Sequence, residues 1–241
     1  MGDSYLTPDE SEDITIELMA SDLLALIQHV GFSKVQLLGF SMGGIISQAF
    51  LCHPDAKLVG CNVQVHGVTV TALVLSATFA KSPKTAFSLA KMPQTEGLSR
   101  QERNLAIVRH MMAMQYDDES LKGSLKGQFE RRVQLALNTR RPFQTMIAQS
   151  IAIAMYDSRS SLAKLGTHSA LRVLIIHGVR DKMVDFKESE ELARLLPNSV
   201  RLSPASSAGS QFGHMWFEYF DQEHDWVAPL CSWLDARNAR L

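Results

Sequence analysis

The chain is poor in cysteine, carries no surplus of charge of either sign and has no long apolar run. Three cysteines in 241 residues (Cys52, Cys61 and Cys231) are too few and too scattered for a disulfide framework or a zinc site, which predicts a reducing compartment. Cys52 and Cys231 are expected to pack as small apolar side chains. A net charge of −1 supplies no field to draw in nucleic acid or an anionic membrane. No stretch is long and apolar enough to span a bilayer. The opening segment MGDSYLTPDESED has neither a basic nor an apolar signal region, and Leu6 stands where a myristoylation signal needs Ser or Thr. These absences predict a cytoplasmic protein with neither nucleic-acid nor membrane partners.

What is present is an ordinary globular composition, 46% apolar and 20% charged. The length suits one α/β domain, or a small core with an insertion, better than two unrelated domains. Apolar residues recur at helical spacing from Asp13 to Val30, and Gly31 stops the run. KVQLLGF (Lys34 to Phe40) predicts a short buried strand, and Met42 to His53 a helix ended by Pro54. Further strands are expected at Thr71–Thr78, Arg172–Gly178 and Ser199–Ser203. Strands separated by helices imply a parallel sheet covered on its faces. Between Thr78 and Arg172 only helical segments stand out, Arg100 to Tyr116 and Gln128 to Tyr156, the second interrupted at Pro142. That block holds six of the eleven methionines, Met92, Met111, Met112, Met114, Met146 and Met155, expected mainly as packing between helices.

Ser41 stands at the junction of the first strand with its helix, in Gly39-Phe40-Ser41-Met42-Gly43. A serine there can simply cap the helix. The G-x-S-x-G spacing also fits a strained turn that presents a nucleophile, with glycines where side chains would block close strand–helix packing. The pattern alone recurs by chance in roughly one chain in ten of this length, so it needs partners. A serine hydroxyl requires a histidine to take its proton and a carboxylate to orient that histidine. In open parallel sheets such groups sit beyond the carboxyl ends of strands. Asp181, in LIIHGVRD, meets that rule, and Asp185 with Glu188 reads as a separate capping box for the next helix. His214, in SQFGHMWFEYF, follows the fourth strand. His177 lies in a strand end and His224 in a charged segment, which leaves His214 as the candidate base.

The order Ser41, Asp181, His214, each after a predicted strand, resembles the α/β-hydrolases, particularly small hydrolases similar to 3-oxoadipate enol-lactonases. GFSMGG, LIIHGVRDKMV and GHMWFEYF stand for the elbow, the acid strand and the histidine loop. The resemblance implies an α/β fold, with residues 1–78 and 172–241 as the core and 79–171 as a helical cap that shapes substrate access. It implies a serine hydrolase acting on a small ester or lactone, with a small-molecule substrate and no metal or organic cofactor. Ser41, Asp181 and His214 would be catalytic, the Met42 N–H would serve the oxyanion hole, and Gly39, Phe40 and Gly43 would shape the elbow. A carbon–carbon-bond hydrolase with the same triad, or a non-catalytic binding protein of this fold, are the alternative readings.

Two departures from the family pattern set further expectations. Gly2 to Ser4 resembles the end of a family segment that normally follows several strands and a His–Gly loop, so the N-terminal strands and a second oxyanion donor are expected to be missing. The strand at Val35 to Gly39 would then be a sheet edge prone to self-association, and turnover would be low. Gly60 to Val70 reads as an insertion able to add a hairpin strand, and its His66-Gly67 pair superficially resembles the missing loop.

Overall fold

The computed structural model describes residues 14–82, 93–139, 143–206 and 209–236. In order, the elements are α1 (Ile16–His29), β1 (Lys34–Phe40), α2 (Met42–Leu51), β2 (Lys57–Val59), β3 (Asn62–Val65) and β4 (Val68–Ser76). There follow α3 (Arg100–Ala113), α4 (Asp118–Lys122), α5 (Lys126–Asn138), α6 (Phe143–Met155) and α7 (Arg159–His168). β5 (Arg172–Ile176), α8 (Lys187–Leu195), β6 (Val200–Arg201), a 3₁₀ turn at Trp216–Glu218, a π-helical turn at Gln222–Val227 and α9 (Ala228–Asp235) complete the fold.

β4 is the axis of the sheet. Along one side it pairs in parallel with β1, from Lys34 opposite Thr69 to Phe40 opposite Ser76. Along the other, its first residues pair antiparallel with β3 and its last five in parallel with β5, which is followed by β6. The sheet is therefore mixed and not purely parallel. The cause is the 60–70 segment, which folds as β3 and the start of β4 and adds two antiparallel pairings, β2 with β3 and β3 with β4. The insertion does not cover β1, which among the described residues pairs with β4 alone.

Strand alternation divides the interior in two. Leu73, Leu75, Val173 and Ile175 face a core completed by α1, α2, α7 and α8, with Phe50, Leu162 and Leu192 fully buried in it. Val74, Leu174 and Ile176 face a second core built from Tyr116, Phe129, Phe212 and Trp226, with α9 packed against it. Burial on both faces explains why β4 and β5 read as continuous apolar runs. Each of these large side chains contributes about 1.5–3 kcal/mol by leaving water.

Three local expectations are corrected. Asp185 and Glu188 do not form a capping box, since α8 starts one residue later than that motif needs and has Phe186 at its N-cap. Asp185 instead accepts the Lys187 N–H in a local turn. Cys231 is exposed on α9 and does not pack as an apolar group, whereas burial raises the half-buried Cys52 thiol to about 12. Within the helical block, α7 belongs to the core of the sheet through Leu162 and Leu165. Gly2–Ser4 and Met92 lie outside the described residues.

Candidate active site

β1 ends at Phe40 and the chain turns directly into α2, because the ladder to β4 runs on through the Ser41 N–H, bonded to the Ser76 carbonyl at 2.9 Å. Ser41 adopts φ 52° and ψ −120°, an uncommon conformation for a residue with a side chain, which costs on the order of 1–3 kcal/mol. Its side chain makes no capping bond to α2, so the simple role of a helix cap is excluded. The Thr78 hydroxyl donates to the Ser41 carbonyl at 2.8 Å and pins the turn. A Cβ on Gly39 would stand 2.5 Å from the Gly43 carbonyl oxygen, and one on Gly44 would stand 2.5 Å from Thr78 Cγ2. Gly43 is different: a Cβ there meets nothing within 4 Å. The close approach of strand and helix thus rests on Gly39 and Gly44, and the steric role expected of Gly43 is not found. Met42 opens α2, where N–H groups lack partners within the helix.

Asp181 and His214 come together from the loops after β5 and β6. The loops are joined by the Val179 N–H to the Ser210 carbonyl at 3.0 Å and the Arg180 N–H to the Phe212 carbonyl at 3.1 Å. His214 Nδ1 donates to Asp181 Oδ2 at 2.8 Å, with both side chains buried. Asp181 Oδ1 accepts the N–H groups of Met183 and Val184 at 2.8 and 2.9 Å. Burial alone would raise the Asp181 pKa, but hydrogen bonds and charge interactions with His177 and His214 outweigh it and hold the carboxyl at about 2. An ionised Asp181 fixes the tautomer of His214 with its proton on Nδ1 and its lone pair on Nε2. The His214 ring lies 4.9 Å, centroid to centroid, from Phe40, the residue before Ser41. No hydrogen bond links the Ser41 hydroxyl to His214 among the described residues.

Of the other histidines, His224 is exposed on the π-helical turn. His177 was not expected at the site beyond its place in a strand end, yet it sits on the far side of Asp181. Its Nε2 lies 3.0 Å from the Val184 carbonyl, to which it must donate, and 3.4 Å from Asp181 Oδ2. Its Nδ1 is buried without a partner. The visible signal was the four-residue spacing of His177 and Asp181 across one tight turn. His66-Gly67, by contrast, lies at the start of β4, the opposite end of the strand from Ser76 and Ser41, and cannot supply an oxyanion donor.

Ser41, Met42, Ile45, Phe79, Ile153 and Met183 are among the residues lining a cavity of about 130 Å³, which α6 helps to wall through Ser150, Ile153 and Ala154. None of the described methionines of the helical block lines it; Met42 and Met183, which do, come from the start of α2 and the loop after β5.

The chain belongs to the α/β-hydrolase fold family, whose pattern matches residues 4–214. Among curated relatives it is similar to the proline iminopeptidase of Lactobacillus crispatus, 29% identical over 91 residues, which are 38% of this chain and 27% of that protein. Solved structures with the same fold include an esterase from Exiguobacterium antarcticum (TM-score 0.64, 20% identity, 94% of this chain and 76% of that one). The enol-lactonase from Burkholderia xenovorans gives a TM-score of 0.67 at 15% identity, covering 93% of this chain and 75% of that one. No helix among the described residues is long and apolar enough to cross a membrane.

Proposed function

We propose that this chain is a serine hydrolase of small esters or lactones that works through an acyl-enzyme. The observation that carries the reading is the buried Asp181–His214 pair, whose imidazole packs on Phe40, the residue before a strained serine at the end of β1. In the reaction His214 Nε2 takes the Ser41 proton as Oγ attacks the carbonyl carbon, and Asp181 stabilises the imidazolium that forms. The Met42 N–H, at the positive end of α2, donates to the developing oxyanion. Collapse breaks the ester bond, His214 protonates the departing alkoxide, and water repeats the sequence in reverse to free Ser41. Hydrogen bonds to a nucleophile commonly tighten only when substrate is bound, so the open Ser41–His214 spacing is compatible with this role.

The small apolar cavity favours a short acyl group, and the similarity to an esterase and an enol-lactonase supports the ester or lactone class over the peptide class of the iminopeptidase. Within this reading α6 and its neighbours act as a cap that selects substrate. A non-catalytic binding role is the second reading, favoured by the absence of a Ser41–His214 hydrogen bond among the described residues. Hydrolysis of p-nitrophenyl acetate, p-nitrophenyl octanoate and a small lactone separates the two. Turnover of the short ester or the lactone that disappears in Ser41→Ala supports the hydrolase. Equal rates for wild type and Ser41→Ala contradict it.

A further inference from the structure

At the end of β4 opposite Ser41, the insertion hairpin brings three metal-ligating side chains together. We propose that His53, Asp55 and His66 bind one divalent transition-metal ion of the zinc type. One ring nitrogen from each histidine and one Asp55 oxygen lie within 4.8 Å of one another. Asp55 Oδ2 is 3.2 Å from His66 Nε2 and 3.9 Å from His53 Nδ1. A tetrahedral zinc ion with bonds of roughly 2.0–2.2 Å keeps its ligand atoms about 3.3–3.6 Å apart, so the three donors need only small rotamer adjustments to close on it.

The backbone around the cluster suits the same task. His66 and Gly67, with φ of 44° and 84°, form the two-residue turn between the paired Val65 and Val68. A turn with two positive φ values ordinarily takes Asn-Gly, and histidine is a costlier occupant of its first position. That position carries the His66 ring toward Asp55, while the Gln28 side-chain amide donates to the His66 carbonyl at 3.1 Å and holds the turn. His53 directly follows the C-cap of α2, where the negative end of the helix dipole favours a cation. The Asp55 N–H bond to His53 Nδ1, 3.1 Å long, is the one interaction that coordination through that nitrogen would exchange.

Two imidazoles and one carboxylate suit zinc, cobalt, nickel or copper and not the all-oxygen shells of magnesium or calcium. The three side chains are 30%, 64% and 45% exposed, in the order His53, Asp55, His66, so water can complete the coordination. A bound ion would tie the β3–β4 turn to the loop leaving α2 and hold the insertion against the core. Without an ion the cluster is a set of surface polar contacts, which contribute little.

The test is calorimetric titration of Zn²⁺ into the metal-free chain, with thermal unfolding followed in parallel, for wild type, His53→Gln, Asp55→Asn and His66→Asn. His66→Asn removes the imidazole and keeps a residue the turn favours, so folding is preserved. Wild type should bind one equivalent and unfold at a higher temperature with Zn²⁺, whereas Mg²⁺ and Ca²⁺ have no effect. Each variant should lose more than about tenfold in affinity together with the thermal shift, with unchanged circular dichroism. Absence of one-equivalent binding in wild type, or its survival in His66→Asn and His53→Gln, overturns the site.

Discussion

Asp181 takes its shape from four contacts and its charge from two of them. With a carboxyl held near 2 against an ordinary 3.8, the group stabilises the fold fully above the unfolded value, and that contribution is lost as pH falls from about 4 through 2. The difference corresponds to about 2 kcal/mol. Urea unfolding at pH 7, 4 and 2.5 should show this component in wild type and not in Asp181→Asn. The same substitution should leave His214 in the wrong tautomer and lower kcat/KM for a short ester by about 10⁴-fold. His177 braces the carboxylate from behind, donating to the Val184 carbonyl within the loop that Asp181 itself closes. His177→Leu should cost about 1–3 kcal/mol in urea unfolding by leaving buried acceptors unpaired. The meeting of Asp181 and His214 was legible from sequence because each falls in the loop after an expected strand, the apolar β5 and the short, exposed β6. The His177 contact was not, because it depends on how tightly one turn folds back.

At the scale of elements, the elbow is a junction whose tolerance is uneven. Gly39→Ala places a methyl group 2.5 Å from backbone and should destabilise by about 1–3 kcal/mol or more, whereas Gly43→Ala points into open space and should be neutral or stabilise α2 by about 0.5–1 kcal/mol. Thermal unfolding of the two variants checks the contrast. The G-x-S-x-G spacing revealed the turn but not which glycine the packing needs, since that depends on how Thr78 and α2 meet. The helical block was equally partial: its lack of strand pattern was visible, but the division between α6 beside Ser41 and α7 in the core arises from tertiary packing. Ser150 lies on an exposed part of α6 and also lines the cavity. Ser150→Trp should therefore slow hydrolysis of p-nitrophenyl octanoate more than of the acetate, read as the ratio of kcat/KM values.

For the whole molecule, the sheet and the site are arranged around β4, and β1 leads directly into Ser41 and has an edge that pairs with no other described strand. Leu38 on β1 is 49% exposed, and apolar edges of this kind invite strand pairing between copies. Sedimentation velocity at rising concentration should show self-association that Leu38→Lys reduces, while a monomer at all concentrations would remove the proposal. The apolar runs made β1, β4 and β5 readable as strands. The mixed character of the sheet was hidden because Val63, Val65 and Val68 carry a strand pattern without stating which neighbour they pair with. The claim that joins residue, element and molecule is that Ser41 is a nucleophile activated by His214. The direct measurement is intact-protein and peptide mass spectrometry after treatment with a fluorophosphonate. One phosphonyl group per chain on Ser41, formed at least about a hundredfold more slowly in His214→Gln, is the expected result. A folded wild-type chain that stays unlabelled at Ser41, or labels equally fast without His214, would contradict it.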